Sequence, residues 1–203
     1  MEVCGCALDP RAPSGLNMHA TIVVPTRDHP ELVAMAHATI ARAGWADADA
    51  VFVDNGTTDE AARDALQESP HRVVRADIPF NFPRLVNRGA STASGEVVVL
   101  LNNDVEAKGD GWLRQLLVPF EDSDVGIAGA VLEYPSRRIQ HCGIGIRDGA
   151  PVHLHVRERW DELGLAERDS LREPLAVTAA CMAVRTDLWR ALGGMSTPLV
   201  EEA

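Results

Sequence analysis

Short apolar runs alternate with segments of helical periodicity along most of the chain. The apolar runs are rich in β-branched residues and are bounded by turn-forming residues, which is typical of strands. They are Ala20–Pro25, Ala50–Asp54, Arg72–Ala76, Glu96–Leu101, Val125–Leu132 and Ala176–Arg185. The segments between them repeat apolar residues every three to four positions and are predicted to be helices. These are Glu31–Gly44, Thr58–Ser69, Phe82–Ser94, Gly111–Phe120 and Thr186–Gly194.

Alternating strands and helices predict an α/β fold with a mostly parallel central sheet and helices on both faces. The continuous apolar run Val97–Leu101 favours a sheet that is buried on both sides. Residues 1–19 lack periodicity and are expected to form an irregular leader, followed by a single domain over residues 20–203. After residue 133 the pattern predicts a hairpin with glycine-rich returns, and then a charged, mobile loop.

Composition excludes several classes of protein. The 203 residues are 46% hydrophobic, as in ordinary globular domains, and no stretch approaches the roughly 18 apolar residues of a membrane span. A net charge of −11 disfavours non-specific nucleic-acid binding. Without a signal-peptide pattern, a cytoplasmic protein is expected. Its cysteines show no zinc-site spacing and are interpreted as reduced thiols: Cys4, Cys6, Cys142 and Cys181.

Polar residues follow four predicted strands at the point where each strand ends. In open parallel sheets, ligands bind outside the carboxyl ends of the strands, so these residues are expected on one rim. Turn chemistry explains one such cluster, but four acid-bearing ends favour a binding site. The clusters are Thr26-Arg27-Asp28, Asp54-Asn55-Gly56, Asp77 with Asn81, and Asn102-Asn103-Asp104.

Six segments between Thr21 and Gly194 resemble, in order and spacing, the glycosyltransferase family 2 domain of the GT-A fold. The strings PTRD, PFNF and RIQHCG are most similar to its rhamnosyltransferase-like, polysaccharide-synthesis branch. The resemblance implies inverting transfer of a sugar from a nucleotide-diphosphate sugar to a glycan or lipid-linked acceptor, which the protein would reach at the inner face of the membrane. It also implies a Mn²⁺ or Mg²⁺ ion that bridges the phosphates. Residues 20–132 would form the nucleotide-binding part and residues 133–203 an incomplete acceptor-side part.

The resemblance assigns roles to the residues on the rim. Asn102-Asn103-Asp104 aligns with the Asp-x-Asp motif of the family, which makes Asp104 the metal carboxylate. Asn102 stands where an acid is usual, so metal affinity is expected to be modest, and a turn without metal is the alternative. Asp54 matches the acid that accepts from uracil, thymine or ribose, with helix capping as its alternative; a UDP or dTDP sugar is therefore expected.

The same resemblance places Pro25, Thr26 and Arg27 at the base, where a guanidinium can stack. Asn55 and Asp77 belong to the same nucleotide rim. Further candidates lie outside the rim, and for each of them a solvated surface role is the alternative. They are Arg84 and Asn87, one helical turn apart on the nucleotide side, and Arg138 and His141 on the acceptor side.

The general base of the family lies in an Asp-x-Asp segment after the Gly-Gly pair, here Gly193-Gly194. That segment is expected beyond Ala203, so the catalytic residue is unknown, and the uncovered apolar surface would favour self-association. The alternative is a non-catalytic nucleotide-sugar-binding module or a gene fragment. A nucleotidyltransferase would require a Gly-rich, basic loop after the first strand, which Pro25–Glu31 lacks.

Overall fold

A computed structural model describes residues 2–4, 17–170 and 173–197 of the chain. The strands of this part are β1 (Glu2–Cys4), β2 (Ala20–Thr26), β3 (Ala48–Asp54), β4 (Arg72–Arg75), β5 (Val97–Leu101), β6 (Glu106–Ala107), β7 (Ile127–Gly129), β8 (Val131–Glu133), β9 (Ile139–His141), β10 (Ile144–Arg147), β11 (Ala150–His153) and β12 (Cys181–Arg185). The helices are α1 (Pro30–Ala41), α2 (Glu60–Gln67), α3 (Phe82–Ala90), α4 (Trp112–Leu117), α5 (Leu165–Ser170) and α6 (Thr186–Ala191). Short 3₁₀ turns occupy Val118–Glu121 and Trp160–Glu162.

The central sheet has six strands in the order β4-β3-β2-β5-β12-β7. Strands β4, β3, β2 and β5 are parallel, whereas β12 runs antiparallel to both of its neighbours. Successive residues of β2 point into different cores, with Ile22 and Val24 on one face and Val23 on the other. Both faces are therefore buried, and the predicted mostly parallel α/β sheet is confirmed.

The prediction of a single strand over Val125–Leu132 is wrong. The segment is divided into β7, in the central sheet, and β8, in a second sheet of order β6-β1-β8-β9. The chain changes sheets after Ala130, whose N–H still donates to Cys181 O in register with the β7–β12 pairing, and Val131 then begins β8. The expected hairpin is present twice, because β8 pairs with β9 and β10 pairs with β11.

Three further expectations are corrected. The leader is not wholly irregular, since β1 pairs with β6 and β8; residues 5–16, including Cys6, lie outside the described residues. The loop predicted after residue 153 contains α5 and a 3₁₀ turn. The helix predicted over Thr58–Ser69 begins only at Glu60, because Asp59 is its cap, with Oδ1 accepting from Ala62 N, and Thr58 donates to Asp28.

The two cysteines whose side chains are described are buried thiols outside any disulfide. Burial raises the pKa of Cys181 to about 12, which makes its thiol unreactive at neutral pH. The Cys142 thiol donates to Leu154 O. In the described part of the chain, no helix is both long and apolar enough to cross a bilayer.

Candidate functional site

The carboxyl ends of three parallel strands meet in one row. Thr26 at the end of β2 pairs with Asp54 at the end of β3, and Asp54 pairs with Arg75 at the end of β4. The turn after β5 joins this row because Asn103 Nδ2 donates to Thr26 Oγ1 over 3.0 Å. The structure thus brings Thr26, Asp54 and Asn103 together on the rim where sequence analysis expects them.

Asp54 is an almost buried carboxylate, 5% exposed, whose two oxygens have different partners. Oδ1 accepts from Thr57 N at 2.8 Å, and Oδ2 accepts from Arg75 Nη1 at 2.7 Å. This hydrogen bond raises the pKa of the Arg75 guanidinium. Because Asp59 caps α2, the capping alternative for Asp54 is wrong. Asp54 instead holds the guanidinium group of Arg75 at the carboxyl ends of the strands.

Arg75 is the rim residue that sequence analysis missed. Its side chain is 48% exposed, and Nη2 also lies 3.6 Å from Asp77 Oδ2. The mainly exposed Asp77 reaches this position because Gly56 has no side chain: a Cβ there would lie 2.6 Å from Asp77 Oδ1. Its position inside the run Arg72–Ala76 gives no local signal, because only the pairing of β3 with β4 brings its guanidinium to Asp54.

The buried side chain of Asn55 supports the loop that follows β4. Its buried Nδ2 donates to Ala76 O at 2.9 Å and to Ile78 O at 2.8 Å, which fixes the loop after β4. Its Oδ1 is buried and has no hydrogen-bond partner among the described residues. Asn55 therefore holds the loop that carries Asp77.

The turn after β2 is held in an uncommon conformation. Asp28 and His29 have φ of 51° and 55°, in the left-handed region. The Asp28 carboxylate accepts from Asp59 N, Thr58 N and Thr58 Oγ1, and these hydrogen bonds lower its pKa to about 2. The turn, with Pro25 before it, thus holds the exposed Arg27 beside the β3–α2 loop.

The Asn102-Asn103-Asp104 turn begins where β5 ends. Asn102 N donates to Ala180 O at 2.9 Å, and its own carbonyl accepts from Val105 N at 3.2 Å. Asn103 uses its amide nitrogen on Thr26, and Asp104 is partly exposed. The described residues contain no group of three or more His, Cys, Asp or Glu side chains that could hold a metal ion. The turn therefore offers one carboxylate and amide oxygens, too few for an all-protein metal site.

Two candidates on α3 face different surroundings. Arg84 is exposed, and its backbone N–H donates to the cap residue Asn81. Asn87, one turn later, pairs with the backbone of Met195 through Nδ2 to O at 2.8 Å and N to Oδ1 at 2.9 Å. Asn87 thus ties α3 to the turn after α6, and the nucleotide-binding roles of both residues stay predictions.

The two candidates beyond residue 133 also differ. Arg138 is exposed and donates through Nη1 to Arg157 O at 2.7 Å. His141 is only 2% exposed; its Nε2 lies 3.1 Å from Thr178 N, and its Nδ1 lies 3.0 Å from His153 Nδ1. Burial, and next the nearby His153, lower the pKa of His141 to about 4. The solvated alternative is therefore wrong for His141, and its engaged ring is not presented to an acceptor.

The sequence is similar to two much longer bacterial proteins. One is the uncharacterized protein y4gI of Sinorhizobium fredii (strain NBRC 101917 / NGR234), 33% identical over 184 residues. The other is the O-antigen biosynthesis protein RfbC of Myxococcus xanthus, 30% identical over 181 residues. The alignments cover 87% and 86% of this chain but only 20% and 14% of the respective relatives. The chain thus spans a small part of each relative.

The fold is similar to that of a solved enzyme, the mannosyltransferase PcManGT from Pyrobaculum calidifontis in complex with GDP-Man and Mn²⁺. The TM-score is 0.66 over 91% of this chain and 49% of the other, at 16% identity, which supports the shared GT-A fold alone. The sequence profile of the family described as "Glycosyl transferase family 2" matches residues 21–185. Since this match covers most of the chain, the protein belongs to glycosyltransferase family 2.

Proposed function

We propose that this chain transfers a sugar from a UDP or dTDP sugar, with inversion, to a hydroxyl group of a glycan or lipid-linked acceptor in polysaccharide synthesis. The main support for a UDP or dTDP sugar is the Asp54–Arg75 pair at the ends of β3 and β4. The name of the RfbC relative, an O-antigen biosynthesis protein, supports the polysaccharide context. The division into a nucleotide part, residues 20–132, and an acceptor-side part, residues 133–203, belongs to the same proposal.

The Asp54–Arg75 pair presents an acceptor beside a donor. Uracil and thymine have the complementary edge, because their N3–H lies next to the O4 carbonyl. Cytosine and adenine have the reverse order, a ring acceptor next to an amino donor. In the same pose their ring nitrogen would face a carboxylate oxygen without a proton between them, and they could pair only with the base turned over. Guanine shares the order of uracil, so GDP is the competitor to measure. The exposed Arg27 supplies a planar cation for stacking on the base.

Asp104, with the side-chain oxygens of Asn102 and Asn103, would hold a Mn²⁺ or Mg²⁺ ion together with the diphosphate. One carboxylate completed by phosphate oxygens and water is a coordination that these hard cations commonly accept. When bound, the ion stabilises the negative charge that develops on the leaving diphosphate. The protein's own contribution is to fix the turn, through the Asn103–Thr26 and Asn102–Ala180 hydrogen bonds.

The remaining candidate residues have supporting parts in this proposal. Asp77 and Asn55 hold the base-side loop, while Arg84 on the exposed face of α3 is available to the diphosphate. Asn87 and Arg138 stay candidates at the edges of the site. Exposed Leu175 and Leu192 supply apolar surface for self-association, which sedimentation velocity over a range of protein concentrations measures.

Calorimetric titration with nucleoside diphosphates in the presence of Mn²⁺ tests the base assignment. Wild type is expected to bind UDP and dTDP more tightly than CDP and ADP. Arg75→Met and Asp54→Asn should each weaken UDP binding by about 1–3 kcal/mol, the cost of losing a hydrogen bond with a charged partner. Arg72→Met is the matched control, because Arg72 lies on the same strand and bonds to Thr92 O away from the rim.

Two results would contradict the proposal. Equal affinity for all the nucleotides would show that the Asp54–Arg75 edge does not read the base. A loss of affinity in Arg72→Met as large as that in Arg75→Met would show a general charge effect instead of a local contact.

A further inference from the structure

The buried ring of His141 connects the β8–β9 hairpin to the segment before β12, and this segment bonds to the candidate metal turn Asn102-Asn103-Asp104. His141 is the last residue of β9. Its Nε2 accepts from the N–H of Thr178, which lies just before β12. We propose that His141 is a positioning residue that holds residues 176–180 in place so that Ala180 can fix the Asn102-Asn103-Asp104 turn. This inference rests on the proposed function, because it takes Asp104 as the metal carboxylate.

The contacts determine where the proton of His141 resides. A backbone N–H can only donate, so Nε2 of His141 accepts from Thr178 N and carries no proton. The neutral ring then has its proton on Nδ1, which lies 3.0 Å from His153 Nδ1 and donates to it. His153 in turn carries its proton on Nε2. A single tautomer of the histidine pair therefore satisfies both buried nitrogens of His141.

Burial keeps this arrangement neutral. Removing the imidazolium from water is costly, and the pKa of His141 is accordingly lowered to about 4. At neutral pH the ring is a permanent acceptor for Thr178 N. A leucine of similar size would leave this N–H without a partner, and an unsatisfied donor in a partly buried site favours displacement of its segment.

The segment that His141 holds leads directly to the metal turn. Its start is fixed by Ile144 N, which donates to Ala176 O at 2.9 Å, and Val177 packs against Gly129. Thr178 Oγ1 then accepts from Ala180 N at 3.4 Å. Ala180 O accepts from Asn102 N at 2.9 Å, the first hydrogen bond of the metal turn. Displacing Thr178 would therefore loosen the backbone that orients Asn102 and its neighbours.

A pair of His141 variants separates positioning from simple packing. In His141→Gln the side-chain Oε1 takes the place of Nε2 as an acceptor, whereas His141→Leu keeps the bulk and loses the acceptor. Ile139→Ala is the control, because Ile139 is fully buried on the same strand and packs with Val131, Cys142 and Leu163 without bonding to Thr178. All proteins are compared well below their melting temperatures.

The first measurement is calorimetric binding of UDP and dTDP with and without Mn²⁺. His141→Leu should weaken the Mn²⁺-dependent part by about 10-fold, as is typical of residues that orient metal ligands. His141→Gln should restore most of it, and Ile139→Ala should leave it unchanged. Unchanged binding in His141→Leu, or an equal loss in Ile139→Ala, would overturn the inference while leaving the proposed function intact.

The second measurement needs no ligand. Nitrogen-15 NMR of the wild type should show His141 protonated on Nδ1 and His153 on Nε2, and His141→Leu should speed amide exchange at Thr178 and Asn102. A proton on Nε2 of His141, or unchanged exchange at both amides, would overturn the inference. If the wild type binds neither nucleotide, the proposed function fails, and these NMR results alone decide the role of His141.

Discussion

At the scale of single residues, Asp28 joins two loops that approach the candidate site from neighbouring strands. Its carboxylate accepts from the backbone of Thr58 and Asp59, and its own N–H donates to Thr57 Oγ1. These bonds stabilise a left-handed turn that a β-carbon disfavours, and Arg27 lies directly before it. Backbone strain of this kind persists where surrounding contacts determine it, as they do here.

The pH dependence of stability should show the contribution of Asp28. Its pKa in the folded protein is about 2, below the ordinary value of 3.8. A depressed pKa stabilises the folded state above the ordinary pKa, and this stabilisation is lost as the pH falls toward the folded value. Asp28→Asn should therefore melt at a lower temperature than wild type at pH 7, and the difference should shrink between about pH 4 and pH 2.

Thermal denaturation of both proteins across this pH range is the measurement. Asp124→Asn, at an exposed acid on the loop before β7, is the control and should follow wild type at every pH. A melting difference that stays constant down to pH 2 would exclude the Asp28 carboxylate as its source.

Residues whose role depends on a strand end were predictable, and residues whose role depends on register were not. Thr26, Asp54 and Asn103 each follow an apolar run, so their common rim could be expected from the sequence. Arg75 lies inside the run Arg72–Ala76, and only the pairing of β3 with β4 brings its guanidinium to Asp54. The burial of His141 depends on contacts 12 and 37 residues away along the chain, which local patterns do not report.

At the scale of elements, the close approach of α3 to the central sheet sets the position of the candidate site. Gly89 faces β2 and β3, and a Cβ there would lie 2.3 Å from Val23 Cγ1 and 2.8 Å from Val53 Cγ2. This contact lets the helix lie directly on the sheet. The start of α3, with Asn81 as its cap, is thereby held near the loop that follows β4.

Gly89→Ala should destabilise the protein although alanine is the better helix former. The added methyl group must displace valine side chains in a packed core, which typically costs about 1–3 kcal/mol. Urea denaturation gives the free energy of unfolding. Arg88→Ala, on the exposed face of the same helix, should change it by less than about 0.5 kcal/mol. An unchanged or increased free energy of unfolding for Gly89→Ala would show that α3 lies farther from the sheet than the Gly89 contacts indicate.

Strands β2, β3 and β5 and the helices between them followed from periodicity, because these strands are long and apolar enough to give a clear pattern, whereas β4 is a short strand with an arginine at each end. The strands of the second sheet were harder to predict. Strand β1 has only three residues, and β7 and β8 are separated by Ala130 alone, which still bonds to β12 in the register of β7. Pairing with distant strands is not encoded in local propensity, so the pattern of Val125–Leu132 predicts a single strand.

At the scale of the whole molecule, the carboxyl ends of the parallel strands carry the Asp54–Arg75 pair, the turn after β2 and the Asn102-Asn103-Asp104 turn. The chain after residue 133 contributes to the same rim through Ala180 O, which accepts from Asn102 N. An acidic chain with net charge −11 repels a free diphosphate, so a divalent ion at Asp104 is central to the proposed binding. Because Asn102 stands in place of an acid, the local negative charge is lower, and modest metal affinity is expected.

The most direct measurement is calorimetric titration of UDP and dTDP into wild type and Asp104→Ala, with Mn²⁺ and with EDTA. Mn²⁺ should strengthen nucleotide binding by wild type and have no such effect on Asp104→Ala, while circular dichroism should show that both proteins are folded. Asp110→Ala, at an exposed acid six positions later, should behave as wild type. Equal Mn²⁺-dependent binding by wild type and Asp104→Ala would contradict the proposed metal site and, with it, the proposed role of the Asn102-Asn103-Asp104 turn.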